Sequence, residues 1–296
     1  MFMLLAMTTS NGLGLGWVLI AAISFWRAFQ GLCGTTLIAA WAWAVVAWTA
    51  IVCVTAAQIF SDPSQGNWET LRYVACVGMF CPMMAVFGAK RPQHGAWQWI
   101  VLALWCILAL PAGEALLYGH SLKIGAVRGW FLVVLMAMGL PNYLPTRYWL
   151  AAIFFCVSQA IFLGPYLPMN IWASTDSGML AGLSAGAISL VAGWASSGLP
   201  RWTFPTPIQR LWLYFRDLYG AVWAVRVAQR FNATAEQSSW PVRLHWTGFR
   251  SQDAAGTAFG ELLADLPPEA GREFRSLLRR FVSPEWIAAR LKQPAS

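Results

Sequence analysis

The stretch Thr35-Thr-Leu-Ile-Ala-Ala-Trp-Ala-Trp-Ala-Val-Val-Ala-Trp-Thr-Ala-Ile-Val-Cys-Val-Thr-Ala-Ala-Gln-Ile-Phe60 contains no charged residue. In hydrocarbon every backbone N–H and C=O must be bonded within the segment. A helix rising about 1.5 Å per residue therefore needs roughly 20 apolar residues to cross a core about 30 Å thick. This run meets both demands and sets the scale for its neighbours. Before it, the residues preceding Arg27 end in Trp17-Val-Leu-Ile-Ala-Ala-Ile-Ser-Phe-Trp26 and form a first span. After it come a third span from about Leu71 to Ala89 with Pro82, a fourth from Ala96 to Leu117 with Pro111 and Glu114, and a short fifth from Trp130 to about Tyr143. The sixth, Tyr148 to Leu167, follows the tight connection Pro141-Asn-Tyr-Leu-Pro-Thr-Arg147, which predicts a helical hairpin. The seventh covers about Ser177 to Ser197 and is rich in Gly, Ala and Ser, with Asp176 placed to cap its start.

Composition agrees with this reading. Of 296 residues, 58% are hydrophobic and only 11% charged, which excludes an ordinary soluble domain. The charge is uneven: residues 1–200 hold 7 of the 20 Lys+Arg and 4 of the 12 Asp+Glu, and the last 96 residues hold the rest. The expected organisation is a transmembrane bundle over 1–200 and a basic, mostly helical tail over 201–296. Seven spans place Arg27, Lys90, Arg91, Arg147 and the tail on one side, against Arg72, Lys123 and Arg128 on the other. Because lysine and arginine are retained on the cytoplasmic side, the N-terminus is expected outside and the tail inside a bacterial inner membrane. Trp68, Trp97, Trp99, Trp130, Trp149, Trp172, Trp194 and Trp202 fall near span ends, where amphipathic rings favour the headgroup region. Trp41, Trp43 and Trp48 lie deeper and read as packing or lipid-facing residues. The opening Met1-Phe-Met-Leu-Leu5 has no basic region, so a cleaved signal peptide is not expected.

The tail begins with a helix signal, Thr206-Pro207-Ile208-Gln209: threonine at the N-cap, proline at N1 and glutamine at N3 to close a capping box. Leu211, Trp212, Phe215, Tyr219 and Trp223 then recur on one helical face. That face suits docking in the headgroup plane or on a partner protein, or else packing on a core of the tail's own. The stripe meets Arg226 and Arg230 on the same face, so the helix must end or rotate there. Val242, Leu244 and Trp246 alternate with Arg243 and His245 as in a strand, with no evident partner strand. Helices are expected from Asp253 to about Leu266, after Pro267-Pro268, and from Ser283-Pro284 through Trp286.

Chemistry is sparse. The six cysteines have no regular spacing and read as small apolar residues, and all three histidines fall outside the spans, which disfavours a haem between helices. No nucleotide loop, hydrolase or metalloprotease motif is present, so no catalytic residue, metal ligand or cofactor is assigned. Asn232-Ala-Thr234 matches a glycosylation sequon but lies in the expected cytoplasmic tail. Glu114 is the one carboxylate inside a span and the weak functional candidate; an interfacial role beside Lys123 or Arg128 explains it as well. Gly178, Gly182 and Gly186 form overlapping G-x-x-x-G units, which favour close helix packing within the bundle. Gln58, Asn142 and Gln159 suit bonds between helices or the lining of a path.

The stretches Phe87-Gly-Ala-Lys-Arg-Pro-Gln93, Asn142-Tyr-Leu-Pro-Thr-Arg-Tyr148, Gly164-Pro-Tyr-Leu-Pro168 and Trp240-Pro-Val-Arg-Leu-His-Trp-Thr-Gly-Phe-Arg250 resemble segments of an uncharacterised bacterial membrane-protein family of the planctomycete type. The resemblance spans most of the chain and implies no activity or site residue. The sequence therefore points to a non-enzymatic integral membrane protein in assembly, scaffolding or regulation. Its partners would be the bilayer and other proteins met through 201–296, with nucleic acid not expected. A small-molecule or lipid transporter, and an enzyme acting on a lipid or isoprenoid, are the alternatives.

Overall fold

A computed structural model describes residues 2–60, 67–168, 176–198, 206–251 and 266–292, the side chains of 2–15 and of a few helix ends excepted. The bundle consists of α1 (Phe2–Leu32), α2 (Ile38–Phe60), α3 (Trp68–Val77), α4 (Cys81–Phe87), α5 (His94–Tyr118), α6 (Ala126–Tyr143), α7 (Trp149–Leu163) and α8 (Asp176–Gly198). The C-terminal part adds α9 (Pro207–Gln237), strands β1 (Val242–His245) and β2 (Gly248–Ser251), α10 (Pro268–Leu278) and α11 (Pro284–Lys292). Among the described residues, six helical stretches are long and apolar enough to cross a membrane: Ile38–Gln58, Trp68–Phe87, His94–Tyr118, Ala126–Tyr143, Trp149–Tyr166 and Leu180–Ser197. The protein is an all-α, multi-pass membrane protein. The expected first span is continuous helix, apolar from Gly16 to Leu32 but shorter than the six over its described side chains. The expected helix from Asp253 to Leu266 falls on 252–265, outside the described residues.

The third span is two helices, α3 and α4, joined by a 3-10 turn at Gly78–Phe80, with Pro82 in the first turn of α4. Proline has no N–H to return to the preceding turn, so the helix is broken there. Neighbours serve the freed region: Gln159 donates to the Met79 carbonyl at 3.3 Å and Trp105 to the Val74 carbonyl at 3.0 Å. In the middle of the bundle a buried cluster including Ile51, Tyr73, Phe80, Leu132 and Phe162 fills the space between helices. A second cluster lies at one end. It joins Leu37, Ala40, Ala85 and Val86 of the bundle to Trp212, Phe215, Phe231, Phe249, Phe274 and Phe281 of the C-terminal part. One core therefore runs across the boundary at residue 200, and the tail caps the bundle.

The seam is made of backbone as well as side chains. Thr36 N–H donates to the Phe281 carbonyl at 2.9 Å, Ser283 N–H to Gly34 at 2.7 Å and Arg91 N–H to Arg280 at 2.8 Å. The loop between α10 and α11 is thus laced to two turns of the bundle at once. Tyr219 sits at their meeting point: its hydroxyl donates to the Phe281 carbonyl at 2.7 Å and lies 3.2 Å from the Thr36 hydroxyl, which itself donates to Ala89 at 2.6 Å. Burial pushes the Tyr219 phenol well above its ordinary pKa, so it stays a donor.

Strand β1 does have a partner. It pairs antiparallel with β2 through the turn Trp246-Thr247, with Leu244 opposite Phe249 and Gly248 at φ +136°. The missed strand is four residues long and brings one large apolar side chain, too little to show as alternation. In a two-stranded ribbon both edges leave unpaired peptide groups. Here two amides of α9 take them. Gln209 donates to the Phe249 carbonyl at 3.0 Å and accepts from the Phe249 N–H at 2.8 Å, and Asn232 does the same for Leu244, at 3.0 and 2.7 Å. Gln209 therefore does not close the expected capping box, because the hairpin claims its side chain; Thr206 does cap, accepting from Gln209 N–H at 3.4 Å. Ser283 likewise caps α11, accepting from Trp286 N–H at 3.2 Å.

Gln209→Ala should cost about 1–3 kcal/mol, because it strands buried peptide groups of Phe249, while the exposed Gln237→Ala should change stability by less than about 0.5 kcal/mol. Thermal unfolding of the purified protein in neutral detergent compares the two.

Candidate functional site

The expected docking face is not available to a bilayer or to another protein. Leu211, Trp212, Phe215 and Tyr219 are fully buried and Trp223 nearly so, packed on Phe274, Phe281 and Val86. An amphipathic stripe requires an apolar surface opposite it, and the chain supplies that surface itself. This corrects the docking assignment in favour of packing on a core.

The conflict between that stripe and Arg226 is resolved six residues before it, where α9 breaks at Gly220 with φ +77° and ψ −176°. The second half, 221–237, restarts in a rotated register that buries Val227 and Phe231 and leaves Arg226 and Arg230 exposed. Asn142, at the end of α6, fills the break. Its carbonyl oxygen accepts from the Val222 N–H at 3.0 Å, capping the second half, and Tyr143 donates to the Leu218 carbonyl at 3.3 Å. A Cβ on Gly220 would collide with the Asn142 amide. Asn142 thus joins elements, as expected of it, and its partner is the tail.

Beside this break lies a charged cluster. Asp217, whose side chain is only 5% exposed, accepts from Arg216 at 2.7 and 3.0 Å and faces the Arg147 guanidinium at 3.9 Å. Arg216 also donates to the Trp246 carbonyl at 3.1 Å and stacks on that indole, tying the hairpin turn in. Arg147 also lines a cavity of about 500 Å³. That cavity is walled by Arg27 and Gly31 of α1, Tyr148 and Ala151 of α7, Ser189, Trp194 and Ser197 of α8, Tyr214 and Leu218 of α9, and Trp286 and Arg290 of α11. Three guanidiniums line it, and no Asp, Glu, His or Cys does so among the described residues.

Each arginine is held by an aromatic plane. Arg27 lies 4.7 Å over Trp194, Arg147 lies 5.0 Å over Tyr148, and Arg290 lies 3.9 Å over Trp286. Arg290 donates once to the Gly31 carbonyl at 3.3 Å, and Arg147 once to the Tyr148 hydroxyl at 3.0 Å. The Nε of Arg147 and of Arg290 is buried with no hydrogen-bond partner among the described residues. Burial lowers the pKa of Arg290 from its ordinary value, the sign of a cation short of solvent. The cavity wall thus carries three guanidiniums against no carboxylate of its own, Asp217 lying behind Arg147, and this excess of positive charge suits an anion.

The other sequence candidates lie elsewhere. Glu114 is at the opposite end of the bundle, 54% exposed, in a two-pronged surface pair with Arg128 at 3.3 Å. This is the interfacial arrangement, an exposed ion pair. Gly182 and Gly186 are buried inside the bundle, where a Cβ would press on Phe162 of α7 and on Trp48 of α2, and Gly178 is half-buried. Ser158 donates to the Gly182 carbonyl at 2.8 Å across the same close approach. No group of three or more metal-ligating side chains occurs among the described residues. All six cysteines are free. Sequence reading missed the cavity because Arg27, Arg147 and Arg290 are far apart in the chain; each was visible only as one more basic residue on a common side. In comparisons with protein-family models, curated proteins and solved structures, nothing matches this chain.

Gly220→Ala should cost about 1–3 kcal/mol or more, since it combines a disfavoured backbone angle with the Asn142 collision, and thermal unfolding reads it. Glu114→Gln, which removes one exposed ion pair, should leave the melting temperature and the yield of inserted protein unchanged.

Proposed function

We propose that this chain is a multi-pass protein of a bacterial inner membrane that binds an anionic ligand in the arginine cavity, in an assembly or regulatory role. The observation that carries the reading is the convergence of Arg27, Arg147 and Arg290 on one cavity with no lining carboxylate. Hydroxyls, indoles and guanidiniums hold an anion well, and among the described residues the wall offers no carboxylate or imidazole to activate its serine and tyrosine hydroxyls, which favours binding over turnover. The ends of α1 and α8 and the turns that carry Lys90, Arg91 and Arg147 lie at the end that the C-terminal part covers. That common placement supports a cytoplasmic location for this end, by the retention of basic residues inside. The tail then acts as a fixed cap contributing Tyr214, Trp286 and Arg290 to the site. The transport alternative finds less support, since Tyr73, Phe80, Leu132 and Phe162 fill the middle of the bundle. The enzyme alternative needs a polar cluster at Glu114, whose partner is Arg128.

Titration of the full-length protein in neutral detergent with glycerophosphoglycerol, a soluble phosphate diester, should quench or shift the fluorescence of Trp194 and Trp286. The double variant Arg147→Gln/Arg290→Gln should weaken that binding about tenfold or more, the scale of losing charge-assisted hydrogen bonds. Equal binding by both proteins, or none by the native one, would overturn the reading.

A further inference from the structure

A second cavity lies against the first. It is an apolar groove of about 230 Å³ between α4, α6 and α7, and Tyr148 and Ala151 line both spaces. From Tyr148 the groove follows α7 to Gln159, lined by Leu135, Met136, Ala152, Phe155 and Cys156. Eleven residues of helix are about 16 Å, roughly half of a hydrocarbon core about 30 Å thick, so the groove runs from one interface to the middle of the membrane. Phe80 and Gln159 line its deep end, and the Gln159 amide is already committed to the Met79 carbonyl. A charged cavity beside the headgroup region and an apolar groove one leaflet deep share a wall of two residues. Separately, each would accept a small anion or an apolar fragment; side by side they match one molecule carrying both.

We infer that the occupant is an acidic glycerophospholipid, its phosphate among Arg27, Arg147 and Arg290 and one acyl chain in the groove along α7. The inference rests on the anion-binding reading above and names its ligand. Basic pockets between membrane helices at the cytoplasmic face are suited to such head groups, and the aromatic planes under the three arginines lie where Trp and Tyr favour the interface. The exposed Trp26, Trp149 and Trp194 near the cavity mark the same level. Because α11 contributes Arg290 and Trp286, a bound lipid touches the bundle and its cap together. Occupancy would therefore stabilise their junction.

The test uses the full chain in nanodiscs and in neutral detergent, with native mass spectrometry reading retained lipid. Phosphatidylglycerol should be retained by the native protein in preference to phosphatidylcholine with the same chains. Cys156→Phe, which places a ring in the groove, should lower phosphatidylglycerol retention about tenfold or more, the scale of excluding several methylenes. It should leave binding of the deacylated head group, glycerophosphoglycerol, unchanged. Ala152→Leu, a smaller intrusion on the same wall, carries the test if the larger variant melts early. Equal phosphatidylglycerol retention by native and groove variants overturns the acyl site while leaving anion binding in place. Head-group binding without lipid retention by the native protein assigns the cavity to a soluble phosphate and also overturns it. Equal retention of the two lipids overturns the acidic-lipid assignment while the glycerophosphoglycerol titration still decides anion binding, and binding of neither probe overturns both readings.

Discussion

The backbone hydrogen bonds between the α10–α11 loop and the turns of the bundle are what the rest of the structure depends on. The turns at Gly34–Thr36 and Ala89–Arg91 leave the regular helices and would otherwise present peptide groups with no helical partner. Residues 280–283 supply those partners, and Tyr219 and Thr36 complete the set with their hydroxyls. Once these polar groups are paired, Phe215 and Tyr219 stack on each other and, with Trp223, meet Phe281 edge-on as one aromatic cluster over them. A polar lattice inside an apolar cluster has few alternative geometries, because any slip leaves a buried donor or acceptor unpaired. The cap is thereby held at one position on the bundle, and Arg290 is held beside Arg147 and Arg27.

The helix breaks follow the same logic. Pro82 and Gly220 interrupt helices where a neighbour has an amide to offer, Gln159 in one case and Asn142 in the other. A break in a buried helix is tolerated when its freed groups are satisfied from outside. In α9 the break has a packing result as well, since it rotates the apolar face. The first half packs on α10 and the hairpin, while the second returns Val227 and Phe231 to the core. Asn142 and Tyr143 precede Arg147 by a few residues, so the element that serves the break also positions one wall of the cavity.

Six apolar runs were legible because a bilayer imposes a length and forbids unpaired backbone, and those limits act on sequence directly. The short fifth span gained a helical turn at Ala126, after Gly125 in extended conformation. The caps at Thr206 and Ser283 were legible too, being local. The hairpin partner at 248–251, the role of Gln209 and the break at Gly220 were not. Each depends on a residue distant in the chain: Phe249 draws Gln209 from its cap, and Asn142 makes the Gly220 conformation affordable.

The amphipathic face of α9 separates the two sources of information. Its periodicity determined that Leu211, Trp212, Phe215, Tyr219 and Trp223 would be covered by something apolar. Lipid, a partner and the chain's own core all satisfy that demand equally, since burial of apolar surface is non-directional. Which one covers it was decided by the tertiary structure, where directional hydrogen bonds at Phe281, Arg280 and Ser283 bring α10 and α11 onto that face. The same holds for charge. Sequence determined that Arg27, Arg147 and Arg290 share a side, whereas their convergence on one cavity required the folded end of the bundle, because a field from three cations exists only where their positions are set.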